Sequence, residues 1–298
     1  MVLNKGTLFD PVLVTDLVSK VQGKSSLARL SQQQPIPFNG QKEFVFTMDS
    51  EIDVVAESGK KSHGGVSLAP RKIVPIKVEY GARVSDEFMI ADKEEQIGIL
   101  RAFNDGFAKK AARGLDLMAF HGVNPRTGTA SDVIGSNNFD DAVSQSVEAP
   151  EGLDDPNGVI ESAIATTEGS GGEITGMAIA PTFRSALAKQ KDGQGLAMFP
   201  ELAWGNSPDS INGLPTDVNK TVSDMTDDAL AYLGDFANGF KWGYAKDIPL
   251  KVIEFGDPDN SGNDLQGYNQ VYIRAELFLG WGILDENGFA RVIEAPGV

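Results

Sequence analysis

Residues 86–121 read DEFMIADKEEQIGILRAFNDGFAKKAARGLDLMAFH. Apolar side chains at Ile97, Leu100, Phe103, Phe107, Ala111, Leu115 and Met118 recur every three or four positions, the spacing of one helix face. Asp92, Lys93, Glu94, Glu95, Arg101, Lys109, Lys110 and Arg113 lie largely off that face. A helix from Glu94 to His121 spans roughly 40 Å. Gly122, followed by Asn124-Pro125, stops it. Gly98, Gly106 and Gly114 fall on nearly one side of the helix. Each costs about 1 kcal/mol relative to alanine, so close packing against another element is expected to compensate.

Upstream lie two strand-like runs. In KEFVFTM, Lys42, Phe44, Phe46 and Met48 share a face. In RKIVPIKVEYGARVS, Ile73, Pro75, Lys77 and Glu79 alternate with Lys72, Val74, Ile76, Val78 and Tyr80. The connection DSEIDVVAESGKKSHGGVSLAP is glycine-rich, charged and far longer than a usual hairpin loop of ~2–5 residues. Either it is a disordered insertion or it is a projecting hairpin resting on a neighbouring molecule. A two-stranded ribbon is barely stable alone. Residues 1–38 read as an arm. Asp10 and Pro11 open a short helix with Val14, Leu17, Val18 and Val21 on one face, and SQQQPIPFNG is an extended connector.

Downstream, residues 122–155 are loop-rich. Asp154 or Asp155 caps a helix begun by Pro156, with Val159, Ile160, Ala163 and Ile164 inward. ITGMAIA is a buried strand. Pro181 and Thr182 open another helix, with Phe183, Leu187 and Ala186 inward. Helix, strand and helix make an α/β element. Leu230–Phe236 and Pro249–Phe255 read as strands, and NQVYIRAELFLGWGILDENGFARVIE as two strands around the hairpin tip Asp285–Gly288.

At 298 residues the chain suits one elaborate domain or two lobes. Its net charge of −16 disfavours binding nucleic acid through bulk charge. With no cysteine, a disulfide scaffold, a thiolate metal site and a cysteine nucleophile are excluded. His63 and His121 are the only histidines, so a His-rich metal site is nearly excluded too. No stretch approaches the ~18 apolar residues of a membrane span. The N-terminus is a poor signal peptide, and the protein is expected to be made and used in a cytoplasm or in a particle assembled there.

Motifs for chemistry fail in detail. Val21–Ser26, VQGKSS, resembles the end of a phosphate loop, but Val18 stands where its first glycine belongs. ESGKKS fails likewise at Val54. Gly65–Ala69, GVSLA, approaches a nucleophile elbow but ends in alanine. Helix capping or surface exposure explains His121. Asp257, Asp259, Ser261, Gly262 and Asp264 resemble half a calcium loop, but Tyr268 replaces the bidentate carboxylate, so an acidic turn is the expectation. Asp154-Asp155 and Asp227-Asp228 read as capping or solvated carboxylates. No catalytic, cofactor-binding or metal-ligating residue is expected.

The order of arm, long hairpin, long helix, α/β lobe and returning strands resembles the major capsid proteins of tailed bacteriophages, the Hong Kong phage capsid fold shared with encapsulins. The resemblance runs through DLVSKVQGKSSLARL, the hairpin, GFAKKAARGLDLMAFHG with VNPRTG, AIAPTFRSALAKQKDGQGLAMFPE with INGLPTDV, ALAYLGDF and QVYIRAELFLGWGILDENGFARVIE. It implies an α+β fold: arm 1–38, extended loop 39–85, spine helix and peripheral domain 86–150, α/β axial domain 151–270, and C-terminal strands 271–298 returning to the peripheral domain. It implies a structural subunit, not an enzyme. Such a subunit assembles in the host cytoplasm into pentamers and hexamers of an icosahedral virion capsid around phage DNA, without sequence-specific contact or membrane. A separate scaffold protein, a portal and a maturation protease would be partners. Lys60, Lys61 and Lys72 lie in or beside the loop, but no motif assigns them the family's cross-link, and none is expected. The alternatives are an encapsulin-like compartment shell and, less favoured, a carboxylate-dependent hydrolase.

Overall fold

The structure is a computed structural model describing residues 24–48, 50–225, 228–246 and 250–295. The helix expected at residues 10–21 lies outside them. The fold is α+β. The long helix, α3, follows α1 (Ser26–Leu30) and α2 (Glu87–Ile90) and runs Lys93–His121. The Asp92 carboxylate accepts from the Glu95 amide at 3.0 Å. Gly122 closes the helix at φ 65°, where a side chain is disfavoured, and its amide donates to the Met118 carbonyl.

Leu100, Phe107, Ala111, Leu115 and Met118 are buried, as the periodicity predicts, and Phe103 is half-buried. Ile97 is not: half its surface is exposed. The first turns of α3 meet α2 instead of the core. There the Gln96 amide donates to the carbonyls of Ala91 and Met89, which turns Gln96 inward and Ile97 out. The expected close packing of the glycines occurs within the subunit at Gly114 alone, where an added Cβ would sit 3.6 Å from Pro125; at Gly98 and Gly106 it would meet open space. Phe107→Ala should cost ~3–4 kcal/mol in a urea melt, and Ile97→Ala under 1 kcal/mol in the isolated subunit. Equal losses would refute this register.

The run 71–85 is two strands, not one. It breaks at Val74-Pro75, where proline has no amide to donate. β1 (Gln41–Met48) pairs antiparallel with β2 (Val66–Ile73) in a separate ribbon. β3 (Ile76–Ser85) pairs antiparallel with a later strand, Gln270–Ile283. That 14-residue strand, numbered β11 in chain order, is also flanked by Phe240–Lys246 (β9) and Leu250–Ile253 (β10). β9 has no counterpart in the sequence reading.

The larger sheet holds β4 (Ser146–Ala149), β5 (Gly176–Ile179), β6 (Ser210–Ile211), β7 (Leu214–Val218), β8 (Ala229–Gly234) and β12 (Phe289–Glu294), in the order β4-β12-β8-β5-β7-β6. The expected C-terminal hairpin is therefore not formed. β11 is the central strand of one sheet, and β12 enters the other between β4 and β8. β12 thus bridges the segments, lying between β4 of 86–150 and β8 of 151–270. Helices α5 (Pro156–Gly169) and α6 (Pro181–Lys189) pack on this lobe.

An aromatic cluster joins the parts. Phe139, on the short helix α4 (Phe139–Ala142), has ring centroids 5.0–6.0 Å from Phe120, Tyr232, Phe236, Phe240 and Phe289. Those rings come from α3, β8 and its following turn, β9 and β12. Gly234 leaves room for the crossing: a side chain there would strike the Gly288 carbonyl and Phe289.

Candidate functional site: assembly surfaces and the clamps behind them

Two long-reach elements, the arm and the ribbon, are fixed to the body by polar clamps. The arm clamp centres on Asp116, fully buried on α3. Its carboxylate accepts from the Ser25 and Thr221 hydroxyls, from the Ser26 and Leu27 amides at 3.0 and 3.3 Å, and from Asn219. Burial pushes its pKa up to about 6, against the lowering effect of the bonds from Ser25, Thr221, Ser26 and Leu27. Ser26 also donates to Asp217 at 2.6 Å, and Arg29 pairs with Asp217 at 2.7 Å and with Asp209. The VQGKSS motif thus meets an anion after all, one supplied by the chain itself. Beyond α1 the arm runs along β9, its Gln34 and Ile36 amides donating to the Trp242 and Tyr244 carbonyls at 2.9 and 3.2 Å. Only glycine fits at 243, since a side chain would collide with the Gln34 carbonyl.

The ribbon is fixed at its base. Lys241 pairs with Glu43 at 3.1 Å and Arg71 with Glu286 at 2.7 Å. Cross-strand register places Phe44 opposite Pro70 and Met48 opposite Val66. Partners directly opposite share a face, so Phe44, Met48, Val66, Leu68 and Pro70 form one apolar face. These residues are exposed, as are Ile52 and Val54 in the tip. A lone soluble chain rarely shows so much contiguous apolar surface. The sequence reading saw a polar tip and missed these two, which strict alternation does not mark. Lys60, Lys61, His63 and Lys72 are exposed on the same element.

The remaining sequence candidates serve the fold. Arg83 fills the acidic turn: its Nε donates to Asp259 at 2.9 Å, and its Nη2 lies 2.7 Å from Asp257, 2.5 Å from Asp259, 2.6 Å from Ser261 and 2.8 Å from the Asn263 carbonyl, sharing its two hydrogens among them. The hydrogen bond from Arg83 holds the Asp259 carboxyl below the usual range. A guanidinium of the chain stands where the motif suggested a metal. His121 is neither a cap nor exposed. Its side chain is buried, Nδ1 lying 2.8 Å from Asp140 and Nε2 2.9 Å from the Thr221 carbonyl. Asp140 also accepts from the Tyr232 hydroxyl at 2.6 Å and from Arg291 at 3.2 Å. Burial raises its pKa, but the bonds from His121 and Tyr232 and the charges of His121 and Arg291 outweigh it, and the net shift is down. Asp155 caps α5 through the Gly158 amide at 3.0 Å. Ser67 lies within β2 opposite Thr47, without the strand–turn–helix of an elbow. Asp227 lies outside the described residues. Among the described residues no cluster of three metal-ligating side chains occurs, and no helix is long and apolar enough to cross a membrane.

An arm, a projecting apolar ribbon and a long helix with open glycines define a structural subunit that completes itself against other chains. The phage capsid family model matches residues 5–292. The chain belongs to that family, and it is a structural major capsid protein of an icosahedral virion shell. A solved chain of Mycobacterium phage Ogopogo is 33% identical, covering 91% of this chain and 92% of that one with a TM-score of 0.76. One of Gordonia phage Cozz is 25% identical, covering 92% and 87%, also at 0.76. The capsid of an empty GTA particle, computed with C5 symmetry, shares the fold at 14% identity and a TM-score of 0.64, covering 92% and 90%. No curated protein matches the chain.

The helix-ending stretch GVNPRTG and the late Arg274-Ala275-Glu276 have structural work. Asn124 closes the first as a turn, accepting from the Arg126 amide through its side chain and from the Gly128 amide through its carbonyl. Buried Glu276 collects Lys77 at 2.9 Å, Arg274 at 3.2 Å and Lys251 at 3.5 Å.

Proposed function

We propose that the subunit acts only by assembly, without catalytic residues, cofactor or metal, through pentamers and hexamers that enclose phage DNA. In this reading 39–85 is the extended loop, 86–150 with 271–298 the peripheral domain, and 151–270 the axial domain, with β12 joining the two between β4 and β8. A scaffold protein, a portal and a maturation protease act on the shell, and the net charge of −16 keeps packaged DNA from adhering to it. The observation that carries the reading is the exposed apolar face of the ribbon, which is left open among the described residues. Like-charged subunits repel, and salt screens that repulsion beyond about 10 Å at 0.1 M. Light scattering with negative-stain microscopy should therefore show closed particles whose yield rises between low and moderate salt. A monodisperse monomer at high concentration and high salt would refute the proposal. Turnover of an ester or glycoside substrate by the pure chain would return the hydrolase alternative.

A further inference from the structure

We infer that Trp204 is a preset anchor inserted into a neighbouring copy of this chain; this rests on the assembly reading above. The chain has three tryptophans. Trp242 and Trp281 are buried, but Trp204 is fully exposed, at 103% of its reference surface. It also sits in the left-handed region at φ 59°, ψ 26°, after Ala203 at ψ 148° and before Gly205 at φ 81°. For a bulky residue that conformation is a genuine outlier, and such strain persists only where its surroundings impose it.

The surroundings here do. The turn Pro200–Gly205 is held from below by Phe199 and Leu202, both buried. Arg184 on α6 donates to the Leu202 carbonyl at 3.3 Å. Asn206 closes the turn, its side chain donating to the Glu201 carbonyl at 2.8 Å and its amide to the Ala203 carbonyl at 3.2 Å. The backbone is thus braced to aim an indole away from the subunit, and no contact within the subunit repays the strain. The same loop carries Leu196 and Met198, also exposed.

The partner is a second copy and not nucleic acid. From Asp192 to Asn219 there is no lysine or arginine, Asp192, Glu201, Asp209 and Asp217 are acidic, and the cations nearest the turn are engaged, Arg184 with the Leu202 carbonyl and Arg29 with Asp209 and Asp217. A stacking platform for bases needs cations beside the ring to hold the backbone. A rigid aromatic on a neutral-to-acidic lobe instead has the form of a protein hot spot. A head-to-tail ring contact requires such a knob on one side of the subunit and a different surface receiving it on the other.

With Trp242 and Trp281 already sheltered, quenching of tryptophan fluorescence by acrylamide reports on Trp204. Quenching should be strong in dissociated subunits and largely lost in purified shells. Trp204→Gly relieves the backbone strain, so its subunit should melt no lower than wild type. Its threshold concentration for assembly should nevertheless rise by at least about tenfold, the lower range for loss of an interface anchor. Wild-type shells whose Trp204 stays as quenchable as in subunits, or normal assembly by Trp204→Gly, would overturn the inference and leave the shell reading intact. A wild-type chain that never assembles would overturn both.

Discussion

Replacing residues 49–65 with a two-residue Asn-Gly turn is expected to abolish closed shells while leaving the subunit's melting temperature nearly unchanged. The remaining register allows it: Met48 already pairs with Val66, and Asn-Gly suits the tight turn of a two-residue hairpin. The body should not notice, because residues 50–65 are exposed throughout and surface changes of this kind stay within about 0.5 kcal/mol. Assembly should. Ile52 and Val54 are 95% and 94% exposed, and burying each against a neighbour would yield about 1.5–3 kcal/mol. Losing both from every contact corresponds to a rise of roughly two to four orders of magnitude in the concentration needed to assemble. Calorimetry on the subunit and light scattering on the assembly mixture separate the two effects. Normal shells from the shortened ribbon would show that the tip touches no neighbour and that its apolar residues serve something else.

How much of this could be read from residues alone follows the range of the interactions. Helix α3 is legible because its signals are local: Asp92 caps it, Gly122 ends it, and its stripe repeats within a few positions. Ile97 departs from the stripe because what meets that turn is α2, whose position depends on the path of the chain. The strand β11 is legible as a run, but the partition of β11 and β12 between two sheets is not, since a turn such as Asp285–Gly288 looks the same whether the flanking strands pair or diverge. The clamps are the least legible. Asp116 lies among the polar positions of α3, and its partner Ser25 is 91 residues away. Arg83 and the acidic turn are separated by 174 or more residues, so the turn could be read as acidic but not as the seat of a guanidinium. The body of the fold could be inferred by resemblance, whereas the anchor at Trp204 could not, because neither its φ nor its lack of cover is written locally.

The second large effect concerns Asp116. Asp116→Ala is expected to cost about 4–6 kcal/mol of unfolding free energy near pH 4, because it leaves buried donors from Ser25, Ser26, Leu27, Asn219 and Thr221 without their acceptor. The cost should shrink with pH, and the sign follows from the pKa. Burial raises it from the ordinary 3.8 to about 6, so the folded chain holds this proton more tightly than the unfolded chain. The group's contribution is then complete below about pH 3.8 and is lost as the pH rises through about 6. A shift of that size corresponds to roughly 2–3 kcal/mol. Urea titrations of wild type and Asp116→Ala at pH 4 and pH 7 should accordingly show a gap that narrows by that amount, through a fall in the wild type. Asp116→Asn, uncharged at both values, should lack the same fall. A gap that widens with pH would mean that five hydrogen bonds to the carboxylate outweigh its burial and hold its pKa below the ordinary 3.8 instead of above it.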